Sequence, residues 1–172
     1  MKKSIIISLC IAFSFSLFAQ TNDVPKFGHI NKQDVFSLMP EADAAMKELE
    51  ALLLNYKVES KKLEEEFTKK QQDYVANQAT LDAAIKKYRE TELQRLYASI
   101  EEFSKNADEA LKKRQSELLA PIEAKINDAI KTIGDENGFI YIFDVTTPGT
   151  FAYMSTKSVD ILPLVKQKLN LK

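Results

Sequence analysis

Residues 41–120 read EADAAMKELEALLLNYKVESKKLEEEFTKKQQDYVANQATLDAAIKKYRETELQRLYASIEEFSKNADEALKKRQSELLA, eighty positions without a glycine or a proline. Ala, Leu, Glu, Lys, Gln and Arg dominate, the residues that lose least conformational freedom on entering a helix. The stretch carries 17 acidic and 14 basic side chains, so it is no membrane span. Apolar residues recur at four-three spacing: Ala42, Met46, Leu49, Leu53, Tyr56, Leu63, Phe67 and Tyr74, with Ser60 and Lys70 at two skipped positions. That spacing predicts a narrow heptad seam on an otherwise solvated helix.

A second stripe follows: Leu93, Leu96, Ile100, Phe103, Ala107, Leu111, Leu118, Ile122, Ile126, Ile130 and Ile133. Its four-four step from Phe103 to Leu111 relaxes the left-handed supercoil. One unbroken helix over 41–120 would be about 120 Å long. A hairpin gives each stripe an apolar partner instead. The break falls in Asn77-Gln78-Ala79-Thr80-Leu81-Asp82, where Thr80 is expected to cap a returning helix with Asp82 in its first turn. The result is an antiparallel two-helix coiled-coil arm about 55 Å long, with its tip near 77–82.

Residues 1–19 read as a secretory signal peptide, with Lys2 and Lys3 ahead of a short apolar and serine run and a cut after Ala19. The run is too short for a comfortable membrane span, so residues 20–172 hold no transmembrane segment in this reading. Cys10, the only cysteine, lies inside 1–19, and residues 20–172 have 22 basic and 25 acidic side chains, a net charge of −3. Stability after processing must therefore come from packing or assembly, not disulfides. The near balance of charge excludes the clustered basic face of a nucleic-acid partner. Lys61-Lys62, Lys69-Lys70 and Lys112-Lys113-Arg114 have acidic neighbours and read as solvated helix faces.

Residues 20–40 and 121–172 form the body. Phe27, His29 and Ile30 predict a short strand, Asn31 caps a short helix through Val35, Phe36 and Leu38, and Pro40 fits the arm's first turn. Pro121 is expected to kink a helix that ends near Ile133, with Gly134 as its C′ residue and 135–138 as a loop. The run FIYIFDV at 139–145 reads as a strand buried on both faces. Thr147-Pro148-Gly149 is a turn, 151–154 pairs back as the second strand of a β-hairpin, and 160–169 is a closing amphipathic helix. The fold class is α+β, mostly α. The body is too small to cover both faces of its sheet, so other copies are expected to do so through Ile140, Ile142, Phe143 and Phe151.

Nothing in the chain suggests catalysis. There is no phosphate cradle of the form GxxxxGKS/T or GxGxxG, and no HxxxH, CxxC or ExxH metal spacing. His29 is the only histidine and reads as a packed strand residue, and Asp135-Glu136-Asn137 lacks the ligand order of a calcium loop. No enzyme, cofactor or metal is expected. Tyr56, Phe67 and Tyr74 belong to the arm seam; Tyr88 and Tyr97 fall off the stripe and are the candidate contacts for a bound client.

The order of these elements resembles the Skp/OmpH family of periplasmic chaperones for outer-membrane proteins. The likeness rests on FGHIN at 27–31, Val35-Phe36, Met39-Pro40-Glu41, LLAPI at 118–122, GFIYIFD at 138–144, and Val159-Asp160-Ile161 with Val165 and Leu169. It implies a periplasmic homotrimer whose small sheets join into a β-body. Three arms then enclose unfolded outer-membrane β-barrel chains without nucleotide. The best-known member is basic whereas this chain is slightly acidic, so no lipopolysaccharide or anionic-lipid site carries over. A second reading, of another class, is a structural or adaptor coiled-coil protein of the envelope with one folded partner.

Overall fold

A computed structural model describes residues 24–172; the expected signal peptide at 1–19 lies outside them. The elements in order are β1 (Lys26–Ile30), α1 (Lys32–Leu38), α2 (Pro40–Asn77), α3 (Ala83–Asn137), β2 (Phe139–Asp144), β3 (Val159–Asp160) and α4 (Leu162–Lys168). The described residues are mostly helical, with two long helices and one small sheet.

Local chemistry sets each helix end. Asn31 caps α1 by accepting from the Gln33 N–H at 3.0 Å. Pro40 occupies the first turn of α2, with Glu41 and Asp43 beside it, where a missing N–H costs nothing and carboxylates face the positive end of the helix dipole. Between Asn77 and Ala83 the chain turns. Asp82, not the expected Thr80, caps α3: its Oδ1 accepts from Ala84 N–H at 2.8 Å and Ile85 N–H at 2.9 Å. One carboxylate oxygen serves two orphan donors there. Thr80 instead donates its hydroxyl to the Asn77 carbonyl, 2.9 Å away, and closes the turn.

At its far end α3 runs past Ile133 to Asn137, so Gly134 and Asp135-Glu136-Asn137 are helical where a cap and loop were expected. Pro121 sits inside the same continuous helix. The cap is Gly138, at φ 67°, with its N–H on the Gly134 carbonyl; a residue without Cβ holds this left-handed conformation without strain. Gly134 lies inside the helix beside β2, where a Cβ would stand 3.4 Å from Ile142 Cδ1, an ordinary packing contact.

Contacts between α2 and α3 run in opposite sense along the two helices. Glu41 meets Lys125, Glu48 meets Arg114, Tyr56 meets Phe103, Phe67 meets Tyr97 and Tyr74 meets Glu90. The facing residues at the root of α2 are Ala42, Ala45, Leu49 and Leu52, whereas Met46 and Leu53, expected in the seam, are exposed. The heptad reads equally well on either side of Ala42, Leu49 and Tyr56. Small Ala42, Ala45 and Ala129 are the buried choices because they let the helix roots come close. For the same reason Ala129, and not Ile130, is buried on α3.

The sheet order is β2-β1-β3, and both pairings are parallel. This corrects the expected β-hairpin: 151–154 forms no strand, and the third strand, β3, lies beside β1 instead. Phe151 packs on the face of β2, its ring edge-to-face with that of Phe143 at 5.1 Å, rather than on the strand edge. Parallel neighbours need long crossovers, and the two long helices supply the one between β1 and β2.

One cluster is buried: Ile30, Val35, Met39, Ala42, Ala45, Ile122, Ile126, Ala129, Ile133, Ile161 and Val165. It joins one face of the sheet to the helix roots. Of the described residues from 46 to 121, none is buried.

Two glycines make this junction testable. A Cβ on Gly28 would meet Ile161 Cγ2 and Phe139 Cε1 at 3.1 Å and Ile142 Cγ1 at 3.2 Å. Gly28→Val should therefore cost about 1–3 kcal/mol by overpacking. Gly138→Ala, with open space but left-handed backbone, should cost about 1–2 kcal/mol. Denaturant unfolding of residues 20–172 at fixed protein concentration checks both; an unchanged midpoint for Gly28→Val would contradict the close approach.

Candidate functional site

The most exposed apolar surface is the sheet face turned away from the helices. It exists because β2 slips by one residue against β1. Lys26 is opposite Phe139 but Phe27 is opposite Tyr141, which leaves Ile140 without a partner. A bulge of this kind changes which side chains share a face. Phe139 and Ile142 turn toward the buried cluster. Tyr141 and Phe143 turn the other way, stacked with Phe27 at ring distances of 6.3 and 6.4 Å.

Around this aromatic row lies an open groove of about 700 Å³, lined by Val24, Phe27, Phe143, Phe151, Tyr153 and Met154 among others. Tyr141 is 61% exposed and Tyr153 82% exposed. Continuous exposed aromatics of this kind mark surfaces that bind something.

The four residues expected to join copies are thus divided. Phe143 and Phe151 lie in the groove. Ile140 is the bulged residue at the open edge, 56% exposed. Ile142 faces inward, between Gly28 and Gly134. The strand expected to be buried on both faces has no buried residue in this single chain. Phe27, Tyr141, Tyr153 and Met154 belong to the surface but were not singled out. Alternation alone would have found Phe27; nothing local announces the bulge that turns out Tyr141.

Beside this face, His29 Nδ1 lies 2.9 Å from Ser158 Oγ. Asp160 is opposite His29 in the β1–β3 register, but its Oδ1 accepts from the Leu162 N–H at 2.9 Å. The pair therefore joins strands and has no carboxylate behind it. Among the described residues no group of His, Cys, Asp and Glu could hold a metal ion.

Asp144 ties the end of β2 to the start of α1. Its Oδ1 accepts from the Thr146 N–H at 3.0 Å and from the Thr146 hydroxyl, whose oxygen accepts from the Lys32 N–H at 2.9 Å. Partial burial pushes the Asp144 carboxyl upward. The two Thr146 donors and the Lys32 ammonium outweigh it and hold the group below the usual carboxylate range.

Along the arm, the Tyr97 ring is 6.1 Å from Phe67, and the nearby Glu101 carboxylate raises the pKa of its hydroxyl. Tyr88 is exposed, in a recess with Lys70, Glu92 and Arg95. The two tyrosines do not converge on one another. At the arm root a second recess of about 530 Å³ has an apolar floor of Phe36, Met46, Leu119 and Ile126. Among the described residues no helix is long and apolar enough to cross a membrane.

Residues 26–169 match the protein family described as Outer membrane protein (OmpH-like). The chain belongs to that family. The match begins on β1 and ends one residue beyond α4, so it takes in the sheet, both long helices and the closing helix. Two relatives, each described as chaperone protein Skp, come from Photorhabdus laumondii subsp. laumondii and Photorhabdus luminescens. Each is 29% identical to this chain over 140 residues, covering 80% of this chain and 82% of the relative. This OmpH-like chain thus aligns along most of its length with Skp chaperones.

The Asp144 contacts carry a pH signature. Because the folded carboxyl lies below its free value of about 3.9, its contribution is complete above that value and fades as pH falls through the lower folded one. The side chain is 42% exposed, so solvent screens the ionic part. Asp144→Ala should cost about 0.5–1.5 kcal/mol at pH 7 through lost hydrogen bonds. Unfolding curves of the two proteins should draw together below about pH 4; a gap that widened there would refute this account.

Proposed function

We propose that this chain is an ATP-independent holdase of the periplasm, exported with cleavage after Ala19, that keeps unfolded outer-membrane β-barrel precursors from aggregating. It acts as a homotrimer. The outer sheet faces of three copies meet through Phe27, Tyr141, Phe143 and Phe151, with Ile140 at the edge and Ile142 kept inside its own subunit. The three arms, each an antiparallel coiled coil of α2 and α3, hang around a shared cavity. The body comprises 20–40 and 121–172, the arm 41–120. No nucleotide or metal enters the mechanism.

The observation that carries the reading is the division of burial. The chain leaves an aromatic sheet face uncovered and buries nothing between 46 and 121. A surface that sticky on a body that small is explained by self-association. A long arm without a buried core is explained by a need for reach and easy movement. Precursors of β-barrels expose alternating apolar residues and unpaired strand edges that aggregate in water. Weak contacts repeated over three arms hold such chains by multivalency and still release them. Membership of the OmpH-like family and the likeness to Skp chaperones support a chaperone role.

Two measurements test the proposal. Light scattering of residues 20–172 should give a trimer mass, and Tyr141→Glu with Phe143→Glu should yield monomers whose helix content is kept. A wild-type monomer at micromolar concentration would end the assembly claim. Separately, a urea-unfolded porin-like protein diluted into several-fold trimer excess should stay clear. Turbidity equal to that without the chain would end the holdase claim. Crosslinking in cell envelopes should capture many unfolded barrels; capture of one folded species would favour an adaptor.

A further inference from the structure

The outer end of the arm reverses the usual placement of polar and apolar side chains. Up to Phe67 aromatic pairs lie in the seam, Tyr56 against Phe103 at 6.2 Å and Phe67 against Tyr97 at 6.1 Å, with the ion pairs Glu41–Lys125 and Glu48–Arg114 flanking it nearer the root. Beyond Phe67 the groups that meet across the helices are charged or polar. Lys70 Nζ pairs with Glu92 Oε1 across the helices; within α3 Arg89 Nη1 reaches Glu92 Oε2 at 3.3 Å, and within α2 Glu66 adds a contact to Lys70 at 3.8 Å. The Tyr74 hydroxyl donates to Glu90 Oε1 at 2.7 Å. The Lys70 and Glu92 side chains are only 32% and 24% exposed, whereas Val75, Ile85 and Tyr88 of the same section are 58%, 43% and 66% exposed.

An apolar seam resists opening because separation puts hydrocarbon into water. The section from 70 to 92 lacks that resistance. Its apolar side chains are largely wet already, and its facing charges are well hydrated once parted. We propose that residues 70–92 form a polar latch, in which the Lys70–Glu92 pair holds the tip closed and lets it open independently of the arm root. The opening is a separation of α2 from α3 within one arm, and it bares Leu81 and Leu93, half-buried when closed, beside Val75, Ile85 and Tyr88. It needs neither a client nor a second copy, so it stands apart from the chaperone reading.

Hydrogen exchange read by mass spectrometry on residues 20–172, without client, tests the latch. Backbone amides at 71–91 should exchange roughly tenfold faster than those at 46–66 and 97–117. Salt at about 1 M should speed the distal section more than the proximal one, where Glu48–Arg114 only flanks an aromatic seam, because the Debye length falls to about 3 Å. Lys70→Ala and Glu92→Ala should each speed it about threefold, and the double variant no more than the faster single one, as for two halves of one contact. Lys70→Leu with Glu92→Leu should slow it below wild type by restoring an apolar seam. Even protection on both sides of Phe67, or variants that speed the whole arm alike, would overturn the latch. So would a leucine pair that leaves distal exchange unchanged.

Discussion

Everything in this chain hangs from the contact between the roots of its two long helices. Ala42 and Ala45 of α2 meet Ile122, Ile126, Ala129 and Ile133 of α3, and the same cluster receives Ile30, Ile161 and Val165 from the sheet side. Small residues bring the helices close; branched ones fill the gap to the strands. Because β1 and β2 are parallel neighbours, the chain leaves the sheet at one end and must re-enter it at the opposite end. The detour it takes is the arm. The root cluster lets that detour be long, since it holds both ends of the excursion in place whatever lies between them.

Beyond the roots the energetics change character. Burial stops at Ala45 on the way out and resumes at Ile122 on the way back, so the intervening helices are held by half-buried side chains and by partners across the pair. Glu41–Lys125 and Glu48–Arg114 add charge contacts, which solvent weakens. Hydrogen bonding to Lys125 holds the Glu41 carboxyl below its usual range, and bonding to Lys70 does the same for Glu92. An arm built this way keeps its helices through local propensity and capping, with Asp82 and Gly138 at the ends of α3, and trades rigidity for reach.

The sheet shows how one irregular residue redirects a surface. Without the bulge at Ile140, strict alternation would place Tyr141 on the side of Phe139. With it, Phe139 and Ile142 close the junction while Tyr141 and Phe143 join Phe27 on the open side. Phe151 then lies over Phe143, which draws the loop after β2 onto the same surface. The aromatic face is thus assembled from three separate parts of the chain.

Much of the architecture was readable beforehand because its signals are local. Absence of Gly and Pro over 41–120, Pro40 at an entry, Asn31 at a cap and a heptad stripe on each helix are properties of neighbouring residues, and each element stands where those residues put it. What failed was mostly non-local, the cap of α3 excepted, where Asp82 and not Thr80 meets the free N–H groups. Gly134 reads as a helix end by residue type, yet α3 continues through it to Asn137. Met46 and Leu53 fit the heptad as well as Ala45 and Leu52 did, and only the closeness of two helices chose between them. The third strand, expected at 151–154 as a hairpin partner of 139–145, is instead 159–160 beside β1, because pairing joins residues over a hundred positions apart, as Gly28 and Val159 do. Of the four candidate surface residues, the bulge kept Phe143 out and turned Ile142 in. The sequence by itself determined where the helices lie, since helix propensity and capping act within a turn or two, although it did not give the end of α3, which continues past Ile133 to Asn137. Tertiary structure alone decided which aromatic side chains share a face, since that depends on how distant strands register against one another.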